Sequence, residues 1–239
     1  MARPLEGLTD SYARWRSSRL GGITDRLEQR LLLELLGSVA GKTLLDVGCG
    51  DGALAAVLTR RGARVTGLDP DHGALAAARR RLQQATLPLQ LVDGRAEALP
   101  FHNDAFDIVV AVTSLCFVGD AGQAIAEMAR VVKPGGRLVI GDLGRWSSWA
   151  MRRRLRGWLG DPTWRAALFR TAAELRKLVE AAGMTVIEVR GAVYYPPFSA
   201  AAQLLASADP WLGRMTTFGA AFIAMCAEKP NFPAGSKPR

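Results

Sequence analysis

From Thr43 onward, short and almost uniformly apolar runs alternate with longer segments whose apolar residues recur every three or four positions. The short runs, at 43–47, 64–68, 89–92, 106–112 and 137–141, predict parallel strands buried on both faces. The segments between them at 53–60, 71–84 and 121–131 carry the helical period and predict the crossover helices of βαβ units. Further on, 171–182 predicts a helix ended by Gly183, 184–189 a strand, 198–214 a short helix with a loop, and 218–227 a final strand. Ahead of the first strand, Leu5, Leu8, Tyr12 and Trp15 share one face of a helix predicted over 5–20. Gly21 and Gly22 are expected to end it. Thr24 would then cap a second helix, in which Ile23, Leu27, Leu31 and Leu35 repeat at helical spacing.

The first predicted strand runs into Asp46-Val47-Gly48-Cys49-Gly50-Asp51-Gly52, with three glycines at every second position before a helix. Glycines let a ligand approach the backbone, and a helix N-terminus offers unpaired N–H groups to it. The dinucleotide form of this turn is G-x-G-x-x-G. Here the third glycine falls one place early, and Ala53 stands where that pattern wants glycine. Asp46 at the strand's end would repel a pyrophosphate and favour a positively charged ligand instead. Asp69 follows Gly48 by 21 residues, the interval at which an acid accepts hydrogen bonds from ribose hydroxyls. A plain helix cap before Pro70 is the other reading of Asp69.

Leu44–Gly52 resembles the first motif of the class I S-adenosylmethionine-dependent methyltransferases, in the type 11 subgroup that includes ubiquinone- and menaquinone-biosynthesis enzymes. The resemblance continues in the family's order: Val65–Pro70 at the second strand, Gly94–Phe101 at the third, Phe106–Val110 at the fourth and Val131–Leu138 before the fifth. It implies a Rossmann-like α/β fold: a seven-stranded, mostly parallel sheet with helices on both faces and an antiparallel last strand. It also implies N-terminal helices across the cofactor mouth and an inserted cap. S-adenosylmethionine, with its ammonium and sulfonium, is the implied cofactor, bound by Asp46, Gly48, Cys49, Gly50, Gly52, Asp69, Pro70, Arg95, Ala96 and Thr113. Arg95 departs from the family, which often has an acid there for the adenine amino group; stacking on the base is its alternative role. Thr113 and Ser114 follow the fourth strand, where related folds face the methyl group. Tyr12, Ser114 and Tyr194 are the candidates for the acceptor pocket, and no residue is marked as a general base.

Composition then narrows the partners. An excess of 31 basic over 22 acidic residues gives a net charge of +9, which suits nucleic acid, an anionic membrane or an acidic substrate, or is simply an arginine-rich surface. The Asn/Asp-Pro-Pro-Tyr motif of base-amine methylation is absent after the fourth strand; Tyr194-Tyr195-Pro196-Pro197 follows the sixth. Cys116 follows Leu115, so the Pro-Cys of cytosine C5 methylation is absent too, and nucleic acid is disfavoured. Cys49, Cys116 and Cys226 are too few and too scattered for a disulfide framework or a zinc site, so no metal is expected. Met1-Ala2-Arg3-Pro4 lack the apolar core of a signal peptide and no uninterrupted apolar run is long enough to span a bilayer, so a cytoplasmic location is expected.

After Asp142 the composition changes. Residues 145–170 hold Trp146, Trp149, Trp158 and Trp164 together with seven arginines, and Met151, Leu155, Trp158 and Leu159 form a helical stripe. The plain expectation packs that stripe on the core with the arginines in solvent; the alternative is contact with an acidic or lipid-like substrate or an anionic membrane. The expected organisation is thus N-terminal helices over 1–40, a methyltransferase domain over 41–229 with its cap at about 145–170, and a disordered tail over 230–239. The expected function is methyl transfer to a small-molecule acceptor. Its rivals are an RNA or DNA methyltransferase and a non-catalytic protein that binds S-adenosylmethionine; the oligomeric state is unreadable.

Overall fold

Seven strands, β1 (Thr43–Val47), β2 (Arg64–Asp69), β3 (Gln90–Asp93), β4 (Phe106–Val112), β5 (Val132–Leu143), β6 (Thr185–Ala192) and β7 (Phe222–Glu228), form one sheet in a computed structural model. Residues 8–88 and 90–231 are described; the predicted helix start at 5, strand position 89 and the tail from 232 lie outside them. The strand order is β3-β2-β1-β4-β5-β7-β6, parallel throughout except for β7, which runs antiparallel to both neighbours. The order reverses between β1 and β4, so the crevice where such sheets bind ligands lies beyond the carboxyl ends of those two strands.

Alternation along the buried strands feeds both faces. Leu44 of β1 joins Leu31 and Leu35 of α2 (Arg19–Leu36) and Leu58 of α3 (Ala53–Arg60), while Leu45 and Val47 face the opposite layer. That layer is built from Ile125 and Met128 of α5 (Ala121–Val131) and Leu175 and Val179 of α8 (Ala172–Ala181). The α8 helix starts with a capping box between Thr171 and Glu174. At the opposite rim Asp107 of β4 binds Thr43 of β1 and Lys133 of β5, which holds its carboxyl well below the usual range despite the opposing effect of desolvation. No helix among the described residues is long and apolar enough to cross a membrane.

Most predicted spans hold within a few residues, and the departures have local causes. The last strand starts at Phe222 rather than 218 because a turn with Gly219 at φ 84° precedes it. Residues 198–214 hold two short helices, α9 (Ser199–Leu205) and α10 (Asp209–Met215). The first break in the chain is at Ser18, after α1 (Leu8–Ser17), and not at the glycine pair. Ser18 is extended (φ −71°, ψ 158°), and its hydroxyl accepts from Gly21 N at 3.1 Å as an N-cap. Thr24 is therefore inside α2, donating to the Leu20 carbonyl at 3.0 Å. Gly21 lies directly against the Trp15 carbonyl, so its missing Cβ allows α1 to fold back closely on α2.

Two effects oppose each other in Gly21→Ala. Helix propensity favours alanine by about 1 kcal/mol, whereas overpacking against a fixed backbone carbonyl costs about 1–3 kcal/mol. The obstruction should win, and urea unfolding should show a net loss of stability; a variant as stable as wild type would contradict this packing.

Candidate active site

The glycine turn joins β1 to α3 with Gly48, Gly50 and Gly52 at φ 75°, 54° and 70°, a conformation that side chains resist. Gly48 N and Cys49 N both donate to the Leu68 carbonyl, at 2.7 and 3.0 Å. Gly50 N donates to Oδ2 of Asp69 at 2.9 Å, and Asp71 N donates to Oδ1 at 2.9 Å. Asp69 thus clamps the turn to the end of β2, and the cap of α4 (His72–Gln84) is Asp71 instead, through Gly73 N at 2.8 Å. A side chain at Gly50 would meet open space, so the turn leaves a cradle beside its backbone.

Asp46 is buried near the end of β1, and among the described residues its Oδ2 has no hydrogen-bond partner; nor has the buried Oγ of Ser114. Burial, reinforced by the nearby Asp69 and Asp51 carboxylates, pushes the Asp46 carboxyl from 3.8 up to about 7. Burial also raises Asp69, against the pull of its two backbone hydrogen bonds. Asp46 is the acid of this cluster left without a donor or cation among the described residues, and that is the unmet requirement of this site. S-adenosylmethionine fits it: Asp46 would meet the positive charge, Asp69 the ribose hydroxyls, and the open turn the nucleoside.

The N-terminal helices close over this rim. Arg16 of α1 reaches Oδ2 of Asp51 in the glycine turn, and Arg81 of α4 binds the same oxygen at 2.6 Å. Tyr12, half-buried, stacks on Trp15 at 5.2 Å under the Arg16 guanidinium. Trp15 meets Trp149 of α6 (Ser148–Trp158) edge-on at 6.1 Å. Glu28 of α2, within electrostatic reach of Tyr12, is buried and without a hydrogen bond among the described residues. Burial pushes its carboxyl up to about 8, opposed by Arg153 of α6. Arg153 lies over the rings of Trp149 and Trp164 and within electrostatic reach of Glu28, Tyr12 and Cys116. Cys116, just past the end of β4, is itself packed in a small apolar cluster with Leu143, Ala150 and Phe169.

The remaining sequence candidates divide. Thr113 is at the end of β4 in the left-handed region (φ 51°), held by its N–H to the Gly141 carbonyl at 2.7 Å. Cys49 is buried in the turn, where desolvation raises its thiol pKa. Ala96 is buried and Pro70 exposed. Arg95 turns to solvent, 3.2 Å from Glu97, rather than toward a base-stacking position. Tyr194 is not brought beside Tyr12 and Arg153: its hydroxyl donates to the Thr216 carbonyl and its N–H to Asp209, which fastens it to α10. Tyr195 takes the inward place instead, its buried hydroxyl 3.0 Å from Thr24 Oγ1 and its carbonyl accepting from Trp149 Nε1 at 2.9 Å. Glu28, Arg16, Asp51, Arg153 and Tyr195 were not singled out in the sequence. Only Glu28 left a signal there, as an acid on the apolar face of a helix.

Residues 45–140 match the model of a methyltransferase domain family. An uncharacterised protein of Mycobacterium tuberculosis is 35% identical over 217 residues, covering 91% of this chain and 70% of that protein. A ubiquinone biosynthesis O-methyltransferase of Methylobacterium sp. (strain 4-46) is 34% identical over 163 residues. That match covers 66% of each chain, so this chain spans just under two thirds of the enzyme's length. The fold is also similar to an S-adenosylmethionine-dependent methyltransferase of Thermotoga maritima, with a TM-score of 0.72 and 22% identity over 95% of this chain and 98% of that one.

Two variants test the carboxylates. Asp69→Ala should weaken S-adenosylmethionine binding by roughly 1.5–3 kcal/mol, the scale of charged hydrogen bonds; unchanged affinity by calorimetry would contradict its ribose role. For Asp46 the sign follows from linkage. Between 3.8 and about 7 the folded chain keeps a proton that the unfolded chain has released, so stability falls as pH rises through that window. Asp46→Asn should therefore melt above wild type at about pH 8, the gap closing toward about pH 5, while losing affinity for the donor. A variant that melts lower at every pH would contradict the unpaired charge.

Proposed function

This chain belongs to the class I S-adenosylmethionine-dependent methyltransferases, and on that premise we propose that its acceptor is a small aromatic hydroxyl compound held between α1, α2 and α6. Methyl transfer is the reaction, and when bound S-adenosylmethionine supplies an electrophilic methyl group on a sulfonium. The observation that carries the acceptor reading is Glu28, a buried carboxyl without a hydrogen bond among the described residues, within electrostatic reach of the Arg153 guanidinium and of Tyr12, which stacks on Trp15. A hydroxyl that loses its proton as it is methylated needs a base, and the developing oxyanion is favoured by a nearby cation. Glu28 serves as the base and takes the acceptor's proton, Arg153 lowers the energy of the oxyanion, and the aromatic side chains hold a flat ring. Once transfer is complete the ether oxygen is neutral and the proton resides on Glu28.

The cover supports a small acceptor over a polymer. Arg16 ties α1 to the glycine turn, and Trp15 packs on Trp149, so the acceptor site proposed here would be roofed by the chain itself. Exclusion of water strengthens the charge interactions within it. The name of the Methylobacterium relative, an O-methyltransferase of ubiquinone biosynthesis, accords with an oxygen acceptor.

Incubation with methyl-labelled donor, a panel of phenols, hydroquinones and amines, and bulk tRNA tests the reading. Label should enter a hydroxyl compound; label confined to tRNA or to amines would overturn it. With an accepted phenol, kcat should rise with pH as Glu28 ionises, and Glu28→Gln should lower kcat about 100-fold or more and flatten that rise. Unchanged kcat and pH profile in Glu28→Gln would remove Glu28 from the chemistry.

A further inference from the structure

We propose that the outer face of α6 docks on an anionic lipid bilayer. The stripe Met151, Leu155, Trp158 and Leu159 faces solvent, with exposures of 68%, 52%, 82% and 72%. The side of α6 that packs inward carries Trp149, Ala150 and Gly157. Contrary to the expectation from periodicity, the more continuous apolar stripe of this helix points outward. Gly157 fixes that orientation, because a side chain there would strike the backbone of Trp164 and Arg165.

Charge identifies the occupant. Arg152, Arg156 and Arg165 are exposed around the stripe, and Asp161 is the sole acid within 145–170 against seven arginines. Asp161 pairs with Arg156 at 2.8 Å, while Arg152 and Arg165 have no acidic partner among the described residues. A second copy of the chain would bring two strongly positive surfaces together, which opposes association. A nucleic acid would match the arginines and leave four large apolar side chains without a role. An anionic bilayer satisfies both sets: the apolar residues enter the acyl boundary, and the guanidinium groups reach the lipid phosphates on their own aliphatic stems. Trp158 is the residue type favoured at that depth. The proposal does not depend on the identity of the methyl acceptor.

Co-sedimentation of the full chain with vesicles decides it, using phosphatidylcholine alone and an equimolar mixture with phosphatidylglycerol. Binding should appear on the mixed vesicles, weaken as salt rises, and shift the tryptophan emission to the blue. Trp158→Ser combined with Leu159→Ser should reduce vesicle binding about tenfold or more with S-adenosylmethionine affinity unchanged, which shows that the variant is folded. Absence of wild-type binding to the mixed vesicles would overturn the proposal. So would equal binding by the double variant, or self-association by sedimentation equilibrium or tRNA binding in place of vesicle binding.

Discussion

A carboxylate buried without a cation is the constraint around which this molecule is arranged. Asp46 lies near the end of a strand that is buried on both faces, beside Asp69 and Asp51, and one of its oxygens meets no donor among the described residues. Such an arrangement is unfavourable in the free protein, because desolvation and like charge act in the same direction. It persists because the elements that impose it are stable for other reasons: β1 is held by β2 and β4, and the turn by the Gly50–Asp69 hydrogen bond. Local instability on a rigid frame is the form in which binding sites keep affinity for an opposite charge. The same charges explain why a nicotinamide dinucleotide, whose pyrophosphate would face Asp46, is a poor match for a turn of similar shape.

The cover is coupled to this frame through charge as well as packing. Asp51 is shared by Arg81, which belongs to the sheet's own crossover helix, and by Arg16, which belongs to α1. The close approach at Gly21 then sets α1 against α2 and places Tyr12 and Trp15 over the rim. From the other side α6 contributes Trp149 and Arg153 to the interior. Two segments more than 100 residues apart in sequence thereby meet, Trp15 of α1 against Trp149 of α6.

How much of this could be read in advance depended on the range of the interaction. The strands and the glycine turn were legible because burial on both faces leaves an apolar run that neighbours cannot disguise, and because Asp69 keeps a fixed interval from Gly48. Ser18 was legible in principle as an N-cap, yet the adjacent Gly21-Gly22 gave the louder signal while serving a packing need. Tyr194 is fastened to α10 while Tyr195 is the one buried against Thr24 and Trp149, and Val193 just before them stands at φ 65°, outside regular strand geometry. Periodicity found the α6 stripe but carries no sign, and the contact of Gly157 with Trp164 and Arg165 decides which way it points. Arg16 and Asp51 meet across 35 residues, and Glu28 comes within electrostatic reach of Arg153 on a distant helix; no local pattern announces either pair.

Proton exchange on donor binding examines the unpaired carboxylate most directly. Calorimetric titration of S-adenosylmethionine at about pH 7, in buffers of differing ionisation enthalpy, counts the protons moved. Arrival of a cation beside Asp46 should drive its proton off, so wild type should release protons on binding while Asp46→Asn releases fewer. Tight binding by wild type with no proton released, or the same release in the variant, would contradict a carboxyl that waits for positive charge.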